Sequence, residues 1–269
     1  MAISTQPSRF YDAETGGELQ LQLQPVGAEF KILRQFGYRD PHYLEPFIVP
    51  ADPLTFQTDL ASIPWFFAWL VPGLGTHLPA VLVHDALVLS KGEAPAHIGP
   101  AVDREEADRI LRDAMASLGT PVIRRWLIWT GVTLATAVRT LKPRWYWPTV
   151  VIGTLLVIVA LGTLATLDLL GVWNVLPWRG DRPLPAELGL GALFAVLIPA
   201  VLSVLWLRLW RAGLITGIAL ALLLHVTAAV IVVYGIYWVA EWLVSASQGA
   251  KPSPQENLRN APIPDGADP

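Results

Sequence analysis

The hydrophobic pattern changes period along the chain, and each change marks a different element. In ELQLQLQP, Leu19, Leu21 and Leu23 alternate with Gln20, Gln22 and Gln24, the period-two signature of a half-buried strand. Pro25, Val26 and Gly27 supply a turn, and EFKIL returns as the expected partner strand. PFIVP is a further extended piece bounded by prolines. Together these predict a small antiparallel sheet of two to four strands, preceded by a loosely ordered polar lead over residues 1–17.

The period then becomes helical. PAVLVHDALVLS is apolar nearly all round, which predicts a buried helix with Pro79 in its first turn. Residues 92–100 read as a loop. Asp103 and Glu106 have the spacing of an N-cap and its reciprocal acid. Ala107, Ile110, Leu111, Ala114 and Leu118 then form one apolar stripe, and Gly119 ends it. Thr120-Pro121 begins another helix running to about Leu141. Its apolar run, residues 126–138, falls short of the ~20 residues of a membrane span. It is placed on the domain or at the interface, with a fourth span as the alternative. Trp65, Phe66, Phe67 and Trp69 crowd a proline-broken stretch that reads as a short core helix or an interfacial patch.

Beyond Arg144 the pattern is almost wholly apolar. Residues 147–172, 188–207 and 214–244 predict three membrane spans, bordered by Trp145, Tyr146, Trp147, Trp173 and Trp178. Pro199 falls inside the second, and Asp168 and His225 are ionisable groups within the spans. Arg139, Lys142 and Arg144 precede the first span, and Arg208 and Arg211 fill the turn after the second. The positive-inside rule therefore puts the amino-terminal domain in the cytoplasm and the tail outside the cell membrane. The expected organisation is a lead (1–17), a soluble domain (18–141), a transmembrane domain (145–245) and a disordered proline-rich tail (246–269).

Composition narrows the function. A net charge of -3 leaves no basic footprint for nucleic acid, and the absence of cysteine excludes disulfides and thiolate metal sites. No signal peptide is visible in the first residues, which lack a basic flank and an apolar core. The chemistry concentrates between Thr58 and Met115. Asp59 stands in the TDLASIP loop, the adjacent pair His84-Asp85 on the apolar helix, and Asp108 on the capped helix. Adjacent residues on a helix point about 100° apart, so His84 and Asp85 can serve different neighbours. A loop carboxylate could share a hard cation with Asp85, while Asp108 fixes the tautomer of His84.

This order of motifs resembles prokaryotic phospholipase A2, with T-D-L-C ahead of a C-x-x-H-D-x-x-Y helix and then a D-x(6)-M helix. Here TDLA, VLVHDALV and DRILRDAM stand in the same order. The resemblance implies an α+β fold with a phospholipase A2-like core and Ca²⁺-assisted hydrolysis of a lipid acyl ester. It makes His84 the general base and Asp108 its orienting partner. Asp59, the Leu60 carbonyl and Asp85 become the calcium ligands. The cysteines of that family fall on Ala61 and Val81, and its tyrosine on Val88. Residues from about Phe47 to Leu141 also resemble a phage- and actinobacteria-associated family of unknown function. That likeness rests on TDLASIP, the AVLVHD stretch, the RxxAD helix ending in AM, and IRRWLIW. It implies instead a non-catalytic membrane component or docking module of a phage-derived or phage-tail-like system. The whole is expected as an α+β domain followed by a three-helix transmembrane bundle in the lipid bilayer.

Overall fold

The computed structural model describes residues 9–27, 29–58, 74–88, 95–173, 176 and 183–247. Short strands pair into two antiparallel sheets rather than the single small sheet expected. One sheet has the order β1 (Phe10–Asp12), β4 (Phe36–Tyr38), β5 (Phe47–Val49). The other has the order β2 (Leu23–Val26), β3 (Glu29–Ile32), β6 (Gln57–Thr58).

Leu19, Leu21 and Leu23 do face inward, packing on the core, while Gln20, Gln22 and Gln24 are exposed. Ladder pairing starts only at Leu23 and runs through Pro25 and Val26, so the turn is later than the sequence suggests. Residues 1–17 are not a loose lead throughout. Phe10–Asp12 pairs with Phe36–Tyr38, and Phe10 is buried against Phe36 and Tyr38. The Tyr11 ring lies over Gly37, where any side chain would collide with it, and the Arg39 guanidinium stacks 3.9 Å from its centroid.

The helices follow the pattern closely. α1 (Leu78–Leu87) has Pro79 in its first turn and buries every residue but Asp85. It packs between β5 and α2 (Arg104–Ser117). Asp103 caps α2 by accepting from the Glu106 N–H at 2.8 Å. Glu106 does not reach back to complete the box, because its carboxylate is held by Arg109 and Tyr43. Gly119, at φ 69°, lets the Thr120 N–H bond the Met115 carbonyl and closes the helix. α3 (Val122–Arg139) then packs along α2.

The apolar half forms α4 (Tyr146–Leu169), α5 (Leu184–Ser203), a 3-10 turn (Val204–Leu209) and α6 (Trp210–Ser247). By length and composition, two helical stretches suffice to cross a membrane, Tyr146–Asp168 and Pro185–Ser245. The second contains the break at Leu207, whose φ of 48° is non-helical. The three spans expected at 147–172, 188–207 and 214–244 fall on these two stretches, the latter two on either side of the break. Around the break the packing is specific. Trp206 is fully buried, donates to Thr154 Oγ1 at 3.1 Å, and leaves no room for a side chain at Gly213. The chain divides into two units, Met1–Leu224 and His225–Pro269. In the second, Tyr234, Tyr237, Trp238 and Trp242 are exposed on the helix surface.

Candidate active site

Two packed helices bring the acid and the imidazole together. The apolar surface of α1 seals it into the core and carries His84 inward to 8% exposure. The stripe of α2 faces it and presents Asp108 at 3% exposure. His84 Nε2 lies 2.8 Å from Asp108 Oδ1. The carboxylate accepts from Nε2–H, so the neutral tautomer leaves Nδ1 with its lone pair free for chemistry. His97 braces the last turn of α1, its ring lying between the carbonyls of Ala86 and Pro100.

Asp85 turns away from that pair toward the loop. It is half-buried and accepts a 2.7 Å hydrogen bond from Thr58 Oγ1. Thr58 ends β6, so pairing of β6 with β3 delivers the first residue of the TDLASIP loop to Asp85. Asp59 and Leu60 lie outside the described residues, as does the aromatic stretch containing Trp65 to Trp69. Among the described residues no group of three histidines or acids stands together as a metal site. The donors at this end of α1, a carboxylate beside a hydroxyl, are oxygens, the class that a hard cation takes.

Sequence reasoning missed the ion network that holds α2 in place. Arg109 reaches Glu106 and Asp113 on its own helix and Asp40 on the segment after β4. Spacings of three and four residues make the first two legible. The third joins residues far apart in sequence. Burial alone would raise the Asp40 pKa, but hydrogen bonds from Arg109 and His42 outweigh it and hold the carboxyl below its ordinary value. Tyr38 is pushed up to about 12 by burial and by the neighbouring Asp40 charge. Arg109 is the residue after Asp108, so the turn of α2 that presents Asp108 to His84 also carries this network.

Asp168 stands at the end of α4 with one buried oxygen lacking a hydrogen-bond partner among the described residues. His225 belongs to the second unit.

The matched family covers the same elements. Residues 30–132, from β3 through most of α3, match the model of a family described as a protein of unknown function (DUF1353). The match includes Thr58, His84, Asp85, Asp108 and Arg109, and stops before the apolar helices. No curated protein and no solved structure is significantly similar to the chain.

Proposed function

We propose that the domain is a membrane-held acyl ester hydrolase with a phospholipase A2-like arrangement of groups. The observation that carries this reading is the buried His84 Nε2–Asp108 Oδ1 contact beside Asp85. A histidine that serves only packing needs no buried carboxylate. An imidazole that takes a proton during turnover gains from one, because the charge it acquires is then compensated.

In this mechanism water bound at His84 Nδ1 gives up its proton as it attacks the ester carbonyl. Asp108 holds the ring and offsets the imidazolium. The same ring then protonates the departing alkoxide. Asp85, with Asp59 and the Leu60 carbonyl from the adjoining loop, would hold Ca²⁺. A bound Ca²⁺ supplies Lewis acidity to the carbonyl oxygen at that position. Two carboxylates and a few carbonyls make a weak site, with a Kd of about 10⁻⁴ to 10⁻³ M. Activity therefore follows calcium entry rather than resting cytosolic levels.

The membrane arrangement proposed with it has α4, α5 and α6 as crossing helices. Arg208, in the turn after α5, pairs with Glu105 on α2. That contact favours the turn and the domain being on one side, with the tail on the other. The positive-inside bias makes the domain side cytoplasmic. The test is fatty acid release from phospholipid vesicles with millimolar calcium and with chelator. Calcium-dependent release that is lost in His84→Ala supports the hydrolase. A wild-type protein that binds calcium and releases nothing favours the docking-module reading instead.

A further inference from the structure

The turn that leads into α4 and the 3-10 turn that leads into α6 are built against each other. The Tyr146 hydroxyl donates to the Leu205 carbonyl at 2.7 Å, and the Trp147 indole donates to the Lys142 carbonyl at 3.1 Å. Beneath them Leu141, Trp147, Trp206 and Ala212 belong to one buried apolar cluster. Arg144 closes the first turn, its guanidinium donating to the Arg139 carbonyl at 2.9 Å. Above this base Arg139, Lys142, Arg144 and Arg211 are all exposed. Trp145 stands among them with 71% of its surface exposed.

These bases have no acids to meet. Arg208 is paired with Glu105, but Arg139, Lys142, Arg144 and Arg211 have no ion pair among the described residues. The acids of α4 and α5 stand elsewhere. Asp168 is at the far end of α4, and Glu187 is in the first turn of α5, the end away from the 3-10 turn. Arg139 also crowds Arg104 on α2. Burial first and Arg139 second hold the Arg104 guanidinium below its ordinary value, and Asp108 offsets this only in part. Like charges gathered without counter-ions make a field that an anion from outside relieves. An exposed indole beside them, apolar in its body and polar at its N–H, suits the headgroup boundary of a bilayer.

We infer that these joined turns bind anionic phospholipid in the leaflet where α4 begins, with Arg139, Lys142 and Arg144 facing the phosphate and Trp145 at the boundary of the acyl chains. Arg211 extends the basic surface on the other turn. The guanidinium forks suit phosphate oxygens, and the lysine adds a point charge. A phosphatidylcholine head carries its own cation beside the phosphate, so it gains little here. A phosphatidylglycerol head keeps its net negative charge. The inference rests on the membrane reading of α4 to α6 and not on hydrolysis.

The test uses the full chain in a neutral detergent with chelator present, so that no ester cleavage consumes the probe. Dihexanoylphosphatidylglycerol, dihexanoylphosphatidylcholine and free glycerol 3-phosphate are titrated by calorimetry. Phosphatidylglycerol should bind about tenfold or more tighter than phosphatidylcholine, with the advantage shrinking as salt rises. Arg139→Gln and Lys142→Gln should each weaken phosphatidylglycerol about fivefold and leave phosphatidylcholine unchanged. Lys31→Gln, the same loss of charge on β3, should change neither. Equal affinity for the two lipids would overturn the inference, and so would Lys31→Gln costing as much as Lys142→Gln. Free glycerol 3-phosphate binding as tightly as the lipid would overturn the assignment to a membrane source. The membrane reading is scored separately, by carbonate-resistant incorporation into phosphatidylcholine vesicles. A chain that incorporates yet shows no lipid preference therefore sinks the inference alone.

Discussion

At the scale of single residues, the account turns on two side chains of α1 that point apart. His84 has its Nε2 fixed by Asp108, and Asp85 faces Thr58. Distinct consequences follow for distinct substitutions. His84→Ala should cut ester turnover by about 10²–10⁴-fold, the usual contribution of a general base, with circular dichroism unchanged. Asp108→Asn should leave calcium binding intact while slowing turnover, because it removes only the partner that orients and stabilises the ring. Asp85→Asn should act in the other order, with calcium affinity measured by titration lost first and activity lost as a result. A common loss of calcium binding in all three would contradict the division of roles. The pairing of His84 with Asp108 was legible only as an order of motifs. Each residue alone reads as a core histidine or a helix decoration, and nothing local places one opposite the other. Thr58 as the donor to Asp85 was not legible, since it depends on β6 adding to β3.

At the scale of elements, what could be read was what local physics decides. The apolar surround of α1, the Asp103 cap and the Gly119 stop all depend on residues within a turn or two, and all are present. The sheets were legible in alternation but not in partnership. β1 was missed because a three-residue strand has too few positions to show a period, and its partner β4 is distant. The same limit hid Arg109–Asp40, the ion pair that joins α2 to the sheet side of the domain. Removing Arg109 leaves Asp40 buried without its cation. Arg109→Met should therefore lower unfolding free energy by about 3–5 kcal/mol in denaturant melts of the full chain. If the change is within error of wild type, the network is not what fixes α2.

The pH dependence of that element has a definite sign. Burial opposes the charged form of Asp40, but Arg109 and His42 outweigh it and hold its folded-state pKa below the ordinary carboxylate value. The unfolded state then binds the proton first. The stabilisation is fully present above the unfolded value and is lost as pH falls through the folded value. Thermal melts of wild type should accordingly fall steeply as pH drops from 3.8 downward, with Asp12, similarly depressed by Thr15 and Arg34 against its burial, adding to the slope. Arg109→Met should flatten the part that belongs to Asp40.

At the scale of the whole molecule, a stretch that matches the DUF1353 family model, residues 30–132, is followed by helices long and apolar enough to cross a bilayer. The absence of cysteine makes the proposed topology directly accessible, since a single introduced thiol reports its own side. Leu44→Cys, at a fully exposed position of the domain, should resist an impermeant thiol reagent in intact cells. Ala250→Cys in the tail should react with it. The reverse pattern would invert the orientation, and reaction at both would deny an odd number of crossings. The interruption at Leu207 falls where residues 188–207 and 214–244 read as two spans joined by a basic turn, so its place was legible in the sequence. Its tight packing through Trp206, Thr154 and Gly213 depends on contacts between helices and leaves no periodic trace.

The central claim is that His84 and Asp108 perform acyl ester hydrolysis on membrane lipid. It is tested most directly by measuring fatty acid released from phospholipid vesicles by the purified full chain, with millimolar calcium or chelator, for wild type and His84→Ala side by side. The expected result is release by wild type in calcium only, and none above background from a folded His84→Ala. Equal release from both proteins, or none from a wild type shown to bind calcium, would contradict it.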